Sequence, residues 1–441
     1  MRVFDVAVIG AGPAAYAALT AMRGQALSIA VITGATKRSN VEGPPKIVSV
    51  AYERQQPAHL TERTVVSEGA PPLFSSAEIG GLANYWGKQL QLYDSGDPWG
   101  DGPFLESWKD YCAACDTVQA DLEITGGVRR ERLDNGFEKS APRLLTGTAQ
   151  APGSGLDAMA LAFKARLNEL EQAEPIDGRV HRIEAREGLV SIELDGGNVL
   201  QARCVFLAAG VWGTASLLMR SVSQLNRLMF RDHAPYTINC FRLDRALGSA
   251  RSYADRGNFN ALTLKHKVDG RCDMFASVYA VSQAPISLLT ATFGLGPHLR
   301  GKRIGRLIDF VQPVRIWTPR TQVQLRYDLH HTTVEAVQLP DPDGDTQLQR
   351  LLEWLSAHRV RHTLGTTAPG QGFHYHDLTF GPKEDPVDDV VRSAFSGLVR
   401  VVDASCLQRI GCPPHTLTSM AQAFARVRHD LQANQAMRRA I

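Results

Sequence analysis

VFDVAVIGAGPAAYAALTAMRGQALSIAVITG, residues 3–34, is the stretch on which the fold turns. VFDVAVIG is an apolar run with the length and residue types of a buried strand. GAGPAA (10–15) follows it directly and opens YAALTAMRG, an alanine-rich helical run that Gly24 ends. ALSIAVITG (26–34) is then a second apolar strand. Strand, glycine turn, helix and strand make the unit that binds dinucleotides. Each residue of the turn has a physical task. Gly10 permits the tight turn, Gly12 lets a pyrophosphate approach the backbone, and Ala15 lets the helix pack on the strand. Pro13 and Ala14 stand at the start of that helix. That N-terminus offers unpaired N–H groups and partial positive charge to phosphate.

Such units usually end their second strand with Asp or Glu, which binds the adenosine ribose. Here the strand ends at Thr33, and Lys37 and Arg38 follow. Thr33 or a backbone group would then meet the ribose, with the two basic residues solvated. A 2′-phosphate beside Lys37 and Arg38 is the other reading, and it points to NADP.

Outward from this unit, three further segments have the same character. IGGLANYWG (79–87) brings a second glycine pair. Residues 179–219 read as strands around Val180 and Ile183, through GLVSIELDGG, and along CVFLAAG, whose end at Ala209 and Gly210 opens the helix GTASLLMRS. GLVRVVDAS (397–405) is a strand ending in Asp403. It leads into GCPPHTLTSMAQAFARVRHDL (411–431), where Leu417, Met420, Ala421, Phe424 and Val427 recur at helical spacing. Pro413 and Pro414 belong just before or in a first turn. A histidine, His415, stands in the mouth of that helix.

Together GAGPAA, GGLANYWG, CVFLAAGVWGTASLLMRS (204–221) and VVDASCLQRIGCPPHTLTSMA (401–421) resemble the glucose–methanol–choline (GMC) family of FAD-dependent oxidoreductases, most of all its pyranose-oxidase-like branch. The resemblance implies an α/β fold: a Rossmann-like FAD-binding domain of the two-dinucleotide-binding type, with a second, antiparallel-sheet substrate domain. It places Gly10, Gly12, Pro13, Ala14, Ala15, Thr33, Val180, Ala209 and Gly210 against the cofactor, with Asp403 at the ribityl–phosphate region. Gly80, Gly81, Asn84, Tyr85 and Trp86 pass the flavin edge. Some members attach FAD through a histidine in that loop; Tyr85 stands there here, so non-covalent FAD is expected. Pro414, His415 and Thr416 open the last helix beside the flavin.

An alcohol carbon gives up hydride only as its hydroxyl loses a proton, and neutral imidazole is the natural acceptor near pH 7. His415 is the candidate base. The family pairs this position with an earlier histidine. The corresponding stretch is GQGFHYHDLTFG (370–381), with His374 slightly favoured by spacing and His376 close behind. In an extended segment both would face one side.

Residues 226–365 carry no family motif. DMFASVYAVS (273–282) and RTQVQLRYDLHHTTVEAVQL (320–339) alternate as half-buried strands do, and LQRLLEWLSAHRVRH (348–362) is an amphipathic helix. The basic run GPHLRGKRIGRL (296–307) reads as a solvated helix face. The expected organisation is FAD-binding segments at 1–96, 151–225 and 366–441, a loop-rich excursion or lid at 97–150, and the substrate domain at 226–365.

Composition limits the partners. A formal charge of +3 over 441 residues excludes an argument for nucleic acid, and no apolar run approaches a membrane span. MRVFDVAVIG lacks the pattern of a signal peptide. Seven scattered cysteines form no disulfide framework, and Cys112–Cys115, without a second pair, reads as helix packing rather than a metal site. A reducing cytoplasm is the expected setting. The expected substrate is a small alcohol or sugar. Oxygen, a quinone or a protein would accept the electrons. An NADP-linked flavin monooxygenase or reductase, or a non-catalytic binding protein on the same fold, are the alternatives.

Overall fold

A computed structural model describes residues 2–34, 75–85, 89–100, 104–127, 130–145, 158–233, 235–247, 260–279, 311–319, 323–328, 333–339, 342–366 and 374–440. Lys37, Arg38, Trp86 and the basic run 296–307 lie outside the described residues, as do the side chains of Asn84 and Tyr85.

The opening unit forms β1 (Val3–Ile9), α1 (Pro13–Ala21) and β2 (Ile29–Thr33). β1 and β2 pair in parallel, and β2 pairs in parallel with β3 (Ala173–Asp177). Next come β4 (Val180–Arg186), β5 (Leu189–Leu194) and β6 (Val199–Leu207), an antiparallel crossover whose last strand returns beside β1 in parallel register. On its side away from β1, β6 serves two partners. Its first half pairs with β5, while Val205–Leu207 pair with the short strand Val399–Val401. Both faces of β1 and β2 are covered, which is why these strands read as continuous apolar runs.

α1 lies against the final helix, Thr416–Ala440, whose Leu417, Met420, Ala421 and Phe424 share one core with Ala14, Ala15, Ala17 and Ala18. Alanine on this face lets the two backbones approach closely. Helix α2 (Val211–Ser221) covers the other face of the sheet with Trp212, Ala215 and Leu218.

The second layer is an antiparallel sheet. Its central strands are β7 (Tyr236–Phe241), β8 (Asn260–Val268), β9 (Arg271–Tyr279) and β10 (Val311–Trp317), ordered β7–β10–β9–β8. Arg361–Thr366 pairs outside β7, and Phe137–Ser140 with Arg130–Arg132 outside β8. One face packs on α3 (Pro342–Ala357) through Leu348, Leu351, Trp354 and Leu355. The other turns toward the first domain, where Gln89 Nε2 donates to Ser277 Oγ at 2.7 Å. β9 is thus buried on both faces, not half-buried as its alternation suggests.

The expected fold class is therefore the fold of this chain. Residues 104–145 divide between the two domains. The helix Trp108–Gln119 packs on the final helix, with Tyr111 Oη 3.0 Å from Thr418 Oγ1, and residues 130–140 edge the antiparallel sheet. Cys115 is buried in that helix packing, which pushes its thiol up to about 12. Among the described residues no helix is long and apolar enough to cross a membrane.

Candidate active site

Parallel pairing carries the ends of β1, β2, β6 and Val399–Val401 to one edge of the sheet. Gly10, Thr33, Gly210 and Asp403 sit just at or beyond those ends, where ligands of open α/β sheets bind. Gly10 has φ +124, and a Cβ there would lie 2.2 Å from the Ala208 carbonyl oxygen. The turn therefore closes only with glycine. Gly12 is different. It caps α1 in an extended conformation with no side-chain cap bond, and an added Cβ would meet nothing nearer than the Gly80 oxygen at 4.0 Å. Its surface is open, and no acid stands in the first turn of α1. Gly80 N–H donates to the Ala11 carbonyl at 2.8 Å, so Gly80 and Gly81, both at positive φ, lie over this turn. Asn84 and Tyr85 follow in a short 3₁₀ turn, Gly81–Tyr85. An uncapped helix N-terminus under an open glycine surface fits a pyrophosphate.

Thr33 is fully buried at the end of β2, and its Oγ1 donates to Asp177 Oδ1 at 3.4 Å. The acid absent from β2 thus stands at the end of the neighbouring strand. Val180 opens β4 just beyond it, its side chain in the core and its carbonyl accepting from Arg220. At the other end of the edge Asp403 is buried. Thr214 Oγ1 donates to its Oδ2 at 2.6 Å and Ser405 N–H to its Oδ1 at 2.9 Å. Burial raises this carboxyl above its ordinary value, while bonds from Ser405, Thr214 and Gly210 offset the effect. Asp403 thereby ties the start of α2 to the loop that runs to His415.

His415 precedes the final helix and is buried, its carbonyl accepting from Ser419 N–H at 2.8 Å. Its ring meets that of His374 edge to face, with centroids 5.3 Å apart. His374 Nδ1 and His415 Nδ1 are both buried, and neither has a hydrogen-bond partner among the described residues. His376, two residues on, is fully buried and its Nδ1 is 3.0 Å from the His374 carbonyl oxygen. Of the two candidate partners, His374 is the one whose ring packs on His415. The strand itself begins only at His376, so regular alternation does not extend back to His374.

Two residues join the site without any sequence signal. Trp317, the last residue of β10, stacks flat on His374 with centroids 5.5 Å apart and planes 9° apart. His233, just past Arg227–Asp232, is buried with its ring centroid 6.0 Å from that of His374. Each lies in an ordinary alternating segment, and only pairing between distant strands brings it here.

Burial keeps these histidines neutral, and their proximity adds to it. Burial, then His233, lowers His415 to about 4, and burial lowers His376 to about 3. Burial, then His415 and His233, holds His374 well below the ordinary imidazole value. At neutral pH the site presents uncharged imidazoles that can accept a proton. Among the described residues no three His, Cys, Asp or Glu side chains are grouped as metal ligands would be.

The chain is similar to the solved structure of pyridoxine 4-oxidase from Mesorbium loti, with a TM-score of 0.51 over 97% of this chain and 99% of that chain. The two sequences are 14% identical, so the likeness is one of fold. No protein-family model and no curated protein matches the sequence.

Proposed function

We propose that the chain is an FAD-dependent oxidoreductase of the GMC type that oxidises the CH–OH group of a small molecule. The observation that carries this reading is the pair His415 and His374, buried together with open Nδ1 atoms at the mouth of the final helix, on the edge that also holds the glycine cradle. The oxidase with the same fold supports it.

Gly10, Gly12 and the α1 N-terminus would hold the pyrophosphate, Thr33 with Asp177 the adenosine end, and Asp403 with Gly210 the ribityl–phosphate region. With Tyr85 where a linking histidine would stand, the cofactor would be non-covalent. Bound there, FAD would supply the acceptor for the hydride and the two electrons it carries. His415 accepts the hydroxyl proton at an imidazole nitrogen as the carbon loses hydride. His374 hydrogen-bonds the same hydroxyl and orients it. Because charge on His415 disfavours charge on His374, the pair takes one proton rather than two. The helix mouth behind His415 presents N–H groups and partial positive charge to negative charge developing in front of it.

The test is the visible spectrum of the purified protein, then anaerobic reduction with alcohols and sugars. A yellow protein whose flavin leaves with acid and is bleached by an alcohol is expected. A colourless protein that also fails to bind added FAD would overturn the reading.

A further inference from the structure

The antiparallel sheet has one apolar face and one that faces the histidines. Ile238, Val278, Val314 and Ile316 pack in the core with α3. Residues between them point the other way, since neighbours along a strand alternate. On β10 these are Pro313, Arg315 and Trp317. In register beside Arg315 stand Thr237 on β7 and Ser277 on β9, and beside Trp317 stands Phe275.

Arg315 is part-buried on this face, two residues from the tryptophan that stacks on His374. Its charge acts on both His374 and Tyr279 of β9, so the guanidinium is within electrostatic reach of both. Among the described residues it makes no ion pair and no hydrogen bond. Other cations near the site are paired: Arg231 with Asp377 at 3.1 Å, Lys267 with Asp94 at 2.8 Å and Lys265 with Asp94 at 3.4 Å. Two buried polar atoms in the same layer also lack partners among the described residues, Trp317 Nε1 and Asn239 Oδ1. A half-buried guanidinium among open polar atoms and neutral imidazoles is suited to an anion brought by the ligand.

We propose that the substrate carries a carboxylate, which Arg315 binds while the carbinol carbon faces His415. One guanidinium fork matches one carboxylate in shape and charge. A phosphate dianion would keep a net charge here, because Arg315 is the one unpaired cation among the described residues of this face. Trp317 and Phe275, their rings tilted 45° to one another, form an apolar wall beside the fork, and the indole N–H can donate to the same anion. Arg315 is on this view a positioning residue for the substrate.

The proposal rests on the FAD oxidoreductase reading for the role of His415, but its test reads binding. FAD-loaded protein is titrated calorimetrically with acetate, butyrate and benzoate, with their amides, and with phenyl phosphate. At least one carboxylate should bind more tightly than its amide and than phenyl phosphate. Arg315→Gln should weaken that carboxylate roughly tenfold to a hundredfold, the worth of charge-assisted hydrogen bonds. The amides should be unchanged, and Arg315→Lys should fall between. Equal FAD content and melting temperature identify the variants as folded. No preference for carboxylate over amide, or a preference that survives Arg315→Gln, overturns the proposal. Tighter phenyl phosphate also overturns it. The two readings fail separately. Reduction of the flavin by neutral alcohols without carboxylate preference leaves the oxidoreductase reading and removes this one. A carboxylate preference lost in Arg315→Gln, with no reduction by any alcohol, does the reverse.

Discussion

The glycine edge of the first domain and the wall of histidines are built on different plans. The edge is made of backbone: Gly10 at positive φ, Gly12 with open space above it, and the uncapped start of α1, all within a few residues of one another. The wall is made of side chains from four separate segments, with His233, Trp317, His374 and His415 brought together only by strand pairing and stacking. A backbone site depends on local geometry and tolerates no added atom at its tightest point. A side-chain site depends on register and burial, and it responds to pH and to single truncations.

The sharpest test of the edge is a pair of variants. Gly10→Ala should destabilise the fold by on the order of 3 kcal/mol and abolish flavin binding, since its Cβ meets the Ala208 oxygen at positive φ. Gly12→Ala should unfold in urea as the wild type does yet bind FAD at least roughly tenfold more weakly, because its Cβ occupies only the open surface. Equal stability losses in the two would erase the distinction between a packing glycine and a ligand glycine.

On the wall, His415→Ala should fold and keep its flavin, while flavin reduction by substrate slows roughly 10²–10⁴-fold, the worth of a positioned base. The loss should appear in stopped-flow reduction and not in reoxidation. His374→Ala should behave alike, with the double variant less than additive. A wild-type reduction rate in His415→Ala would leave that histidine a helix-start residue.

The wall should also titrate where the edge does not. His415 and His376 are held at about 4 and about 3, against about 6.5 in an unfolded chain. As pH falls below 6.5 the unfolded chain takes up protons that the folded chain refuses. Stability is therefore full above 6.5 and is lost as pH falls through the acid range toward 4, by about 3 kcal/mol for His415 alone. Urea midpoints at pH 7 and pH 5 should differ in this direction, and His376→Gln should flatten the slope. A midpoint independent of pH would mean that the rings are not buried in the unloaded protein. His376→Ala, by contrast, should leave the reduction rate nearly unchanged, since its ring does not pack on His415. The smallest effect belongs to Lys37 and Arg38, which follow Thr33 in the sequence. Replacing Lys37 and Arg38 with Ala should change neither FAD content nor activity, whereas loss of NADPH-dependent flavin reduction would favour the monooxygenase alternative.

Most of the first domain was legible in the chain. β1, α1 and β2 follow from apolar runs around GAGPAA, and the strand ending at Asp403 followed by Pro413 and Pro414 announces the final helix. His415 was legible for the same reason: it is anomalous in its local setting. Its choice of partner was not settled there, because spacing favours His374 over His376 only slightly, and it is the start of the strand at His376 that separates them. Asp177 was hidden as well. It lies far along the chain from Thr33 and meets it only because β3 pairs beside β2.

By itself the sequence determined where the chain turns, where glycine is obligatory and which helix opens on a histidine, because these are consequences of φ, side-chain size and the N–H groups of a first helical turn. Tertiary structure alone decided which side chains confront that histidine. Trp317 and Arg315 sit in an alternating strand, and His233 just past the end of another; the pattern specifies a face but no neighbour. The neighbour is chosen by sheet order and register, which bring strands from distant parts of the chain over one strand edge.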